Sequence, residues 1–500
     1  MNKKLFYGGW SIILIAGFLY WKTLAPTYLW SDSAKLAICV HQKFFGFGWG
    51  IHGLHNLIGL LFSKLPFELA YTQNLMSAFF AVLGLLFIYF IVFKFTKNIF
   101  AALIAAFALG VSQTYWHYAV INESYAVDIF FRALCLWLIF QFREKMSFLL
   151  LFSLFFFWSL SLSNHNSHLL WLPGYLFLIW RNDNSRYWQP RYLLFYFFAI
   201  FLGFFPLFIA VRTFNNVSWM EVMRELVKTY SYLPSFPHLD WRRLPLELIR
   251  YPFYLAYQFP FLVFFAGIWG AYIHKKKDAR IFYGFLILFL FALIPASGYY
   301  LKTRQFALLL PTYLIFSLWL GVGIDDFLRR LPVFRLKIFL ILLIFVLPTI
   351  GLYAIMPGLC KLSGVKLGFV RVLPYRDNFV YYLWPPKNRE YGARDYVKAA
   401  FEEAEPNSVI IADFNPGMAF LYAQKVMGER QDVLIKEEIV DHILYGEEKP
   451  IVVLKQVIGT YINERPVYLA DTYEPYYFTS QLEKDYQIIP GRALARVVKK

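Results

Sequence analysis

The sequence predicts a polytopic α-helical membrane protein that ends in a small soluble α/β domain. Of its 500 residues, 59% are hydrophobic and only 16% are charged, which is more apolar surface than a soluble core of this length needs. The apolar residues fall into recurrent runs close to the thickness of a bilayer. After residue 387 the composition becomes soluble, and short apolar stretches alternate with helical ones.

The apolar runs predict about eleven transmembrane helices. The first run follows Lys3 and Lys4 and is expected to be a retained signal anchor, because a small-residue cleavage site does not follow it. The predicted spans cover residues 7–25, 73–95, 98–115, 124–142, 147–163, 166–181, 191–211, 253–274, 280–300, 306–325 and 337–356.

The basic residues of the connecting turns predict the orientation. They occur on alternate turns, so the positive-inside rule places these turns, and the N-terminus, on the cytoplasmic side. The C-terminal domain is then external. The basic residues concerned are Lys3, Lys4, Lys94, Lys97, Arg143, Lys145, Arg181, Arg186, Lys275, Lys276, Lys277, Arg280, Arg329, Arg330, Arg335 and Lys337.

Three regions follow from this pattern. Residues 1–356 are predicted to form the membrane domain, with external amphipathic segments at 26–72 and 212–252. Residues 357–387 are expected to be a linker, and 388–500 the external α/β domain. In that domain, strands are predicted at 409–412, 433–435, 451–454 and 467–470, and helices at 390–404 and 417–427.

The net charge of +17 is first explained by cytoplasmic Lys and Arg beside anionic lipid. Membrane lipid is therefore an expected partner, and nucleic acid is not. The cysteines Cys39, Cys135 and Cys360 have neither the spacing of a disulfide framework nor that of a metal site.

Two carboxylates are the candidate catalytic groups. Asp32 follows the first span in Trp30-Ser31-Asp32-Ser33, and Glu123 lies on the external turn between the third and fourth spans. Ionisable groups at membrane depth are costly and usually functional. Both residues also have a structural interpretation, Asp32 as a helix cap and Glu123 as an acid at a helix start.

Histidines and cations at the external side are candidate substrate-binding groups. Arginine and lysine near a membrane surface suit a lipid phosphate or pyrophosphate. The alternatives are snorkelling for the cations and a structural role for the histidines. The candidates are His52, His55, His165, Arg212, Lys302 and Arg304.

A family resemblance rests on the order and spacing of short stretches over residues 20–325. They are Leu24-Ala25-Pro26-Thr27, Trp30-Ser31-Asp32-Ser33, Leu65-Pro66-Phe67, Asn74-Leu75-Met76-Ser77-Ala78-Phe79-Phe80-Ala81, Trp116-His117-Tyr118-Ala119-Val120, Glu123-Ser124-Tyr125, Leu162-Ser163-Asn164-His165, Leu172-Pro173-Gly174, Arg304 and Leu310-Pro311-Thr312-Tyr313. In these the chain resembles the protein O-mannosyltransferase-like branch of the GT-C glycosyltransferases, a family found in bacteria and animals.

The resemblance implies an inverting membrane glycosyltransferase, with a bacterial cytoplasmic membrane as the expected location. By it, Asp32 is the catalytic base and Glu123 a second active-site carboxylate. A polyprenyl-phosphate donor would bring mannose or another hexose to an external hydroxyl of a protein, at Ser or Thr, or of a glycan. No cofactor is firmly implied, and Mg²⁺ or Mn²⁺ held by carboxylates stays open.

Two departures from the family pattern leave two expectations open: a different donor or acceptor, or a reduced activity. A small residue and a glutamate usually follow the aspartate, whereas this chain has Ala34-Lys35. A His-Pro-Pro-Gly turn is replaced around Gly48-Trp49-Gly50-Ile51.

Two other functional classes stay open. One is a non-catalytic scaffold that binds lipid or carbohydrate. The other is a lipid-linked sugar transporter or flippase, which would need charged or broken helices at the midplane of the membrane.

Overall fold

The computed structural model describes residues 3–47, 51–180, 187–231, 240–299, 305–330, 335–367, 371–437 and 450–500. Most of these residues are helical, and five short strands near the C-terminus form one sheet. The predicted fold class, a helical membrane protein with a small C-terminal α/β domain, is confirmed.

The membrane region and its connecting segments contain seventeen described helices and one short 3-10 helix at Asn166–Trp171. The helices are α1 (Lys3–Thr23), α2 (Asp32–Gln42), α3 (Gly53–Phe62), α4 (Leu69–Thr96), α5 (Ile99–Gly110), α6 (Gln113–Ala119), α7 (Tyr125–Lys145), α8 (Phe148–Leu162), α9 (Leu172–Ile179), α10 (Pro190–Phe214), α11 (Trp219–Ser231), α12 (Leu244–Gln258), α13 (Leu262–Lys277), α14 (Ala279–Gly298), α15 (Gln305–Leu308), α16 (Leu310–Arg330) and α17 (Arg335–Leu362).

Among the described residues, six helices are long and apolar enough to cross a membrane. Up to eight spans result if two bent pairs each count as one, α5 with α6 at 72° and α12 with α13 at 116°. This is fewer than the predicted eleven or so spans. Against the upper count of eight, the difference lies in three predicted spans. Helix α8 has only 15 residues, and the predicted span at 166–181 is a 3-10 helix followed by the eight-residue α9. The predicted span at 306–325 falls mainly on α16, which has charged residues in its last turns.

The basic turns meet on one side of the helix bundle. The Lys94 ammonium lies 3.0 Å from the carboxylate of Glu144, which joins the ends of α4 and α7. Arg143 donates to the Leu178 carbonyl at 2.7 Å, and Arg329 donates to the Thr96 carbonyl at 3.0 Å. The predicted grouping of these turns on one face therefore holds, and their cytoplasmic location stays a prediction.

The two predicted amphipathic segments differ in burial. Most of α2 is buried, including Leu36 and Val40, because it lies between the membrane helices and the C-terminal domain and not on a lipid surface. In α11 the apolar residues Met220 and Val227 are exposed, whereas Val222 packs inward against Phe45 and Phe47. The amphipathic interpretation therefore fits α11 and not α2.

The C-terminal domain has strands β1 (Val409–Ile411), β2 (Leu434–Lys436), β3 (Val467–Leu469), β4 (Tyr486–Pro490) and β5 (Ala495–Lys499). Their order is β2-β1-β3-β5-β4, with β1, β2 and β3 parallel and β4 and β5 antiparallel. The described helices of this part are α18 (Asn378–Leu383), α19 (Gly392–Glu403), α20 (Phe414–Lys425), α21 (Pro450–Tyr461), α22 (Glu474–Tyr477) and α23 (Thr479–Leu482).

One predicted strand of this domain is wrong. Residues 451–454 belong to α21, where Val453, Leu454 and Ile458 are the buried residues. These recur at helical spacing, so a four-residue apolar run alone did not distinguish a strand from one face of a helix. The other three predicted strands coincide with β1, β2 and β3.

The core of the C-terminal domain includes residues from the segment after α1. Tyr28 and Trp30 are buried in it together with the domain's own side chains. The Tyr28 ring centroid lies 4.5 Å from that of Tyr422, and the Trp30 centroid lies 5.5 Å from that of Tyr396. The residues just before Asp32 are thus held by the C-terminal domain.

The orientation is testable with reporter fusions. A reporter fused after Lys500, or inserted near residue 230, should be active only outside the cytoplasm, because both positions lie on the side opposite the basic turns. A fusion within the basic turn that follows α13 should behave in the opposite way. A cytoplasmic C-terminus would contradict the orientation and the site assignment with it.

Candidate active site

Asp32 is the first residue of α2 and is half-buried. The Ser31 carbonyl accepts the Lys35 amide at 3.1 Å, and the Ser31 amide donates to the Asn415 carbonyl at 3.3 Å. The carboxylate thus lies at the positive end of the helix dipole, beside the C-terminal domain. The helix-start interpretation is correct as a description of position, and the catalytic role stays a prediction.

The side chain of Asn122 links the segments of the two candidate carboxylates. Its Nδ2 donates to the Ser33 carbonyl at 2.9 Å, and its Oδ1 is 2.8 Å from His55 Nε2. Ser33 follows Asp32, and Asn122 precedes Glu123. Residues separated by 89 positions in the chain are therefore neighbours, and the segments that carry the two carboxylates meet at one junction.

His55 is fully buried, and its partner determines its tautomer. The Asn122 NH₂ group donates a hydrogen bond to the Ser33 carbonyl, so its Oδ1 faces His55 and accepts a hydrogen bond from His55 Nε2. Burial lowers the pKa of His55 to about 3, so the ring is neutral at physiological pH. This predicted substrate-binding residue acts in the structure as a support for Asn122.

His52 and His165 lie side by side at the next turn. Their ring centroids are 5.5 Å apart, and His52 Nδ1 donates to the Asn164 carbonyl at 2.7 Å. The Asn164 side chain donates to the Ser124 carbonyl at 3.1 Å, one residue beyond Glu123. The two predicted histidines are therefore brought to the Glu123 turn.

A buried ion pair in α7 orients His165. Arg132 pairs with Asp128 at 2.8 Å, and its other end donates to the Ser167 hydroxyl at 2.9 Å. Ser167 in turn lies 2.7 Å from His165 Nδ1. Since the Ser167 oxygen accepts a hydrogen bond from Arg132, the Ser167 hydroxyl donates its own hydrogen to His165 Nδ1, and the ring hydrogen of a neutral His165 is then on Nε2.

The C-terminal part of the chain completes the junction. The Tyr381 ring packs against His117 with centroids 5.9 Å apart, and the charge of Glu123 acts on the Tyr381 phenol. Lys387 is buried close by, and its amide donates to the Thr23 carbonyl at 2.8 Å. Burial lowers the pKa of Lys387 to about 7, so this ammonium is close to its titration point at neutral pH.

Three further predicted residues are Arg212, Lys302 and Arg304. Arg212 lies in the last turn of α10, near the packing of Phe45 and Phe47 on that helix. Lys302 and Arg304 lie outside the described residues, as do Gly48, Trp49 and Gly50 of the replaced family turn. Lys35 points its ammonium over the Phe414 ring at 5.6 Å, toward the C-terminal domain.

Several residues of the junction were missed by the sequence interpretation, above all Asn122 and Asn164. Each immediately precedes a predicted site residue, Glu123 or His165, on a turn. That adjacency was the available signal, because asparagine can pair with backbone groups that turns leave unsatisfied. Within the described ranges, no three His, Cys, Asp or Glu side chains are grouped so that they could hold a metal ion.

The fold of the whole chain is similar to that of a protein of known structure. The chain superposes on ArnT from Cupriavidus metallidurans, in a crystal structure bound to undecaprenyl phosphate, with a TM-score of 0.59 and 11% identity over 98% of each chain. The apo structure of that protein gives a TM-score of 0.56 and 11% identity, over 98% of this chain and 96% of that one.

A family model matches one part of the chain. Residues 52–189 match the model described as the protein O-mannosyl-transferase TMEM260 N-terminal domain. Together with the fold, this match confirms the resemblance to the protein O-mannosyltransferase-like branch of the GT-C proteins. The matched stretch includes His52, His55, Glu123 and His165, and Asp32 lies before it.

A shorter similarity involves a transporter. Over 121 residues the chain is 29% identical to ABC transporter G family member 14 of Arabidopsis thaliana. This match covers 24% of this chain, which spans only 17% of the length of that protein. A similarity of this extent carries no activity over to the present chain.

Replacing Asn122 with Leu should destabilise the protein and reduce its activity. The variant leaves the His55 Nε2 proton and the Ser33 carbonyl buried without a partner, at about 1–3 kcal/mol for each group. Thermal unfolding in detergent measures this loss. The exposed Asn463→Leu is the control, and equal melting temperatures for both variants would contradict the bridging role.

Acid should destabilise the protein partly through His55. Its pKa is about 3 when folded against 6.5 ordinarily, so between these values the unfolded chain binds the extra proton and stability falls as the pH is lowered. His55→Gln keeps a donor for Asn122 and should reduce the slope of the unfolding free energy below pH 6.5 by about 1.4 kcal/mol per pH unit. An unchanged slope in His55→Gln would contradict the neutral buried state.

Proposed function

We propose that this protein is an inverting membrane glycosyltransferase that moves a hexose, such as mannose, from a polyprenyl-phosphate carrier to a hydroxyl on the external face. The acceptor is a protein serine or threonine. The observation that carries the proposal is the Asn122 bridge, which holds the Asp32 and Glu123 segments together at one junction. The GT-C fold supports it, since ArnT of the same fold has been crystallised with undecaprenyl phosphate.

The chemistry assigns one role to each carboxylate. An alcohol is a poor nucleophile, so Asp32 takes the acceptor proton as the acceptor oxygen attacks the anomeric carbon. The bond from that carbon to the carrier phosphate breaks, its electron pair leaves with the phosphate oxygen, and a single displacement inverts the configuration. Glu123 accepts hydrogen bonds from sugar or acceptor hydroxyls and orients them for attack.

The departing phosphate needs positive charge or hydrogen-bond donors. Arg212, Lys302 and Arg304 are the cations proposed for this role from the sequence, and His52 and His165 offer ring protons near the carboxylates. If Mg²⁺ or Mn²⁺ took part, Asp32 and Glu123 would be its protein ligands, and water or substrate would complete the shell. Transfer assays with and without EDTA decide between these two means of stabilising charge.

Replacing Asp32 with Asn should lower transfer by about 100-fold or more, because the amide keeps the size and the hydrogen bonds but cannot take a proton. Glu123→Gln should also lower turnover. The measurement is sugar transfer from a synthetic polyprenyl-phosphate mannose to a serine or threonine peptide by protein in nanodiscs.

The control is Asp395→Asn, which changes an exposed aspartate in the first turn of α19, just as Asp32 lies in the first turn of α2. It should transfer like wild type. Wild-type transfer by Asp32→Asn would overturn the assignment of the base. Carrier binding without transfer by the wild-type protein would favour the scaffold, and movement of carrier across the bilayer without transfer would favour the flippase.

A further inference from the structure

The segment from residue 371 to residue 384, here called the strap, leads from the C-terminal domain back to the membrane helices. It contains α18 and two arginines. We propose that Arg376 of the strap is a binding residue for the phosphate of the lipid-linked donor, held over the carboxylate junction by the anchoring of Arg371. This inference rests on the proposed function and assigns a part of the site to the C-terminal half of the chain.

Arg371 anchors one end of the strap at an edge of the sheet. Its buried guanidinium pairs with Asp413 and donates from Nε to Asp471 at 2.9 Å. These aspartates follow β1 and β3, and because the carboxyl ends of neighbouring parallel strands meet at one edge, a single guanidinium can contact both. Tyr473 and Tyr476 lie 5.3 and 5.4 Å from it, so the guanidinium is enclosed by rings as well as carboxylates.

Hydrogen bonds transmit this anchoring to Arg376. The Arg371 carbonyl accepts from Arg376 Nη2 at 3.0 Å and from the Asn378 amide at 2.9 Å. Arg376 Nε also donates to Asn378 Oδ1 at 2.8 Å. The Arg376 guanidinium is thus held in one orientation before any ligand binds, which reduces the entropy lost on binding.

The other end of the strap is attached to the membrane helices. The Tyr382 carbonyl accepts from Gln113 Nε2 at 2.6 Å, at the start of α6. The Leu383 carbonyl accepts from the Tyr257 hydroxyl at 3.4 Å, at the end of α12. The strap is therefore fixed at both ends, and its middle lies over the external end of the bundle.

Arg376 lies beside the segment that leads to Asp32. Its guanidinium lies 5.9 Å from the Trp30 ring, two residues before Asp32, and 5.0 Å from the Tyr381 ring. The Tyr381 ring in turn packs against His117, on the helix that precedes Glu123. A half-buried cation is thus close to the Asp32 segment and, through Tyr381, to the helix before Glu123, and the proposal places the donor phosphate on it.

A guanidinium suits this task for two reasons. It can stack on aromatic rings while its nitrogen atoms bind a phosphate, which an ammonium does less well. The charge on the phosphate also grows as the glycosidic bond breaks, so a fixed cation favours the transition state over the bound donor.

Arg376→Gln should therefore raise the KM for the donor and lower kcat. The resulting fall in kcat/KM for the donor should be about 10-fold or more, and the KM for the acceptor should not change. Arg376→Lys should recover only part of the loss. The matched control is Arg389→Gln, an exposed arginine just beyond the strap, which should act like wild type. Normal donor kinetics in Arg376→Gln, or a change in the acceptor KM alone, would overturn the assignment.

A measurement on the wild-type protein covers the case of variants that fold poorly. Undecaprenyl phosphate added to protein in nanodiscs should protect Arg376 from phenylglyoxal, as measured by peptide mass spectrometry, whereas Arg389 should stay reactive. Equal labelling of Arg376 with and without the lipid would contradict the proposal. Loss of transfer in Asp32→Asn together with an unaffected Arg376→Gln would reject this site and leave the proposed function standing, whereas an absence of transfer in wild type would reject the function itself.

Discussion

The side-chain amide of Asn122 is the constraint on which the carboxylate junction depends. The external turns of a membrane protein carry backbone groups that helices do not pair, and where such turns are buried each group needs a partner. Asn122 meets this need between two turns, since it donates to the Ser33 carbonyl and accepts from His55. The same hydrogen bonds hold the Asp32 and Glu123 segments together. The Asn122 amide thus both pairs buried polar groups and aligns the candidate site.

The C-terminal domain belongs to this arrangement through shared packing. Its core takes in Tyr28 and Trp30 from the segment after α1, and its strap is bonded to α6 and α12. Burial of two large aromatic side chains contributes several kcal/mol, of the order of 1.5–3 kcal/mol for each ring. Movement of the domain away from the bundle would expose these rings, and it would also displace Asp32, which begins the helix packed beneath them. The position of Asp32 therefore depends on the packing of the C-terminal domain against the membrane helices.

The elements with strong periodic signals were predictable from the sequence. Long apolar runs indicated α4, α7, α10 and α14, since only a helix satisfies its own backbone in a bilayer. The parallel strands β1, β2 and β3 were also found, because short apolar runs bounded by turn residues are typical of a buried sheet. The short or bent elements were not found as such. The bends between α5 and α6 and between α12 and α13 were not predicted, and α21 showed an apolar run that also suits a strand.

The residue types in the sequence identified Asp32, Glu123, His52 and His165 as site candidates, because ionisable groups beside apolar runs are energetically costly and are usually functional. Only the tertiary structure decided which of them meet. It brought them to one junction through hydrogen bonds that link residues as much as 112 positions apart, which local pattern does not encode. It also buried His55 against Asn122, and it brought the Arg376 guanidinium close to the Trp30 ring. Contacts of this kind depend on how the helices pack, and packing is a property of the whole chain.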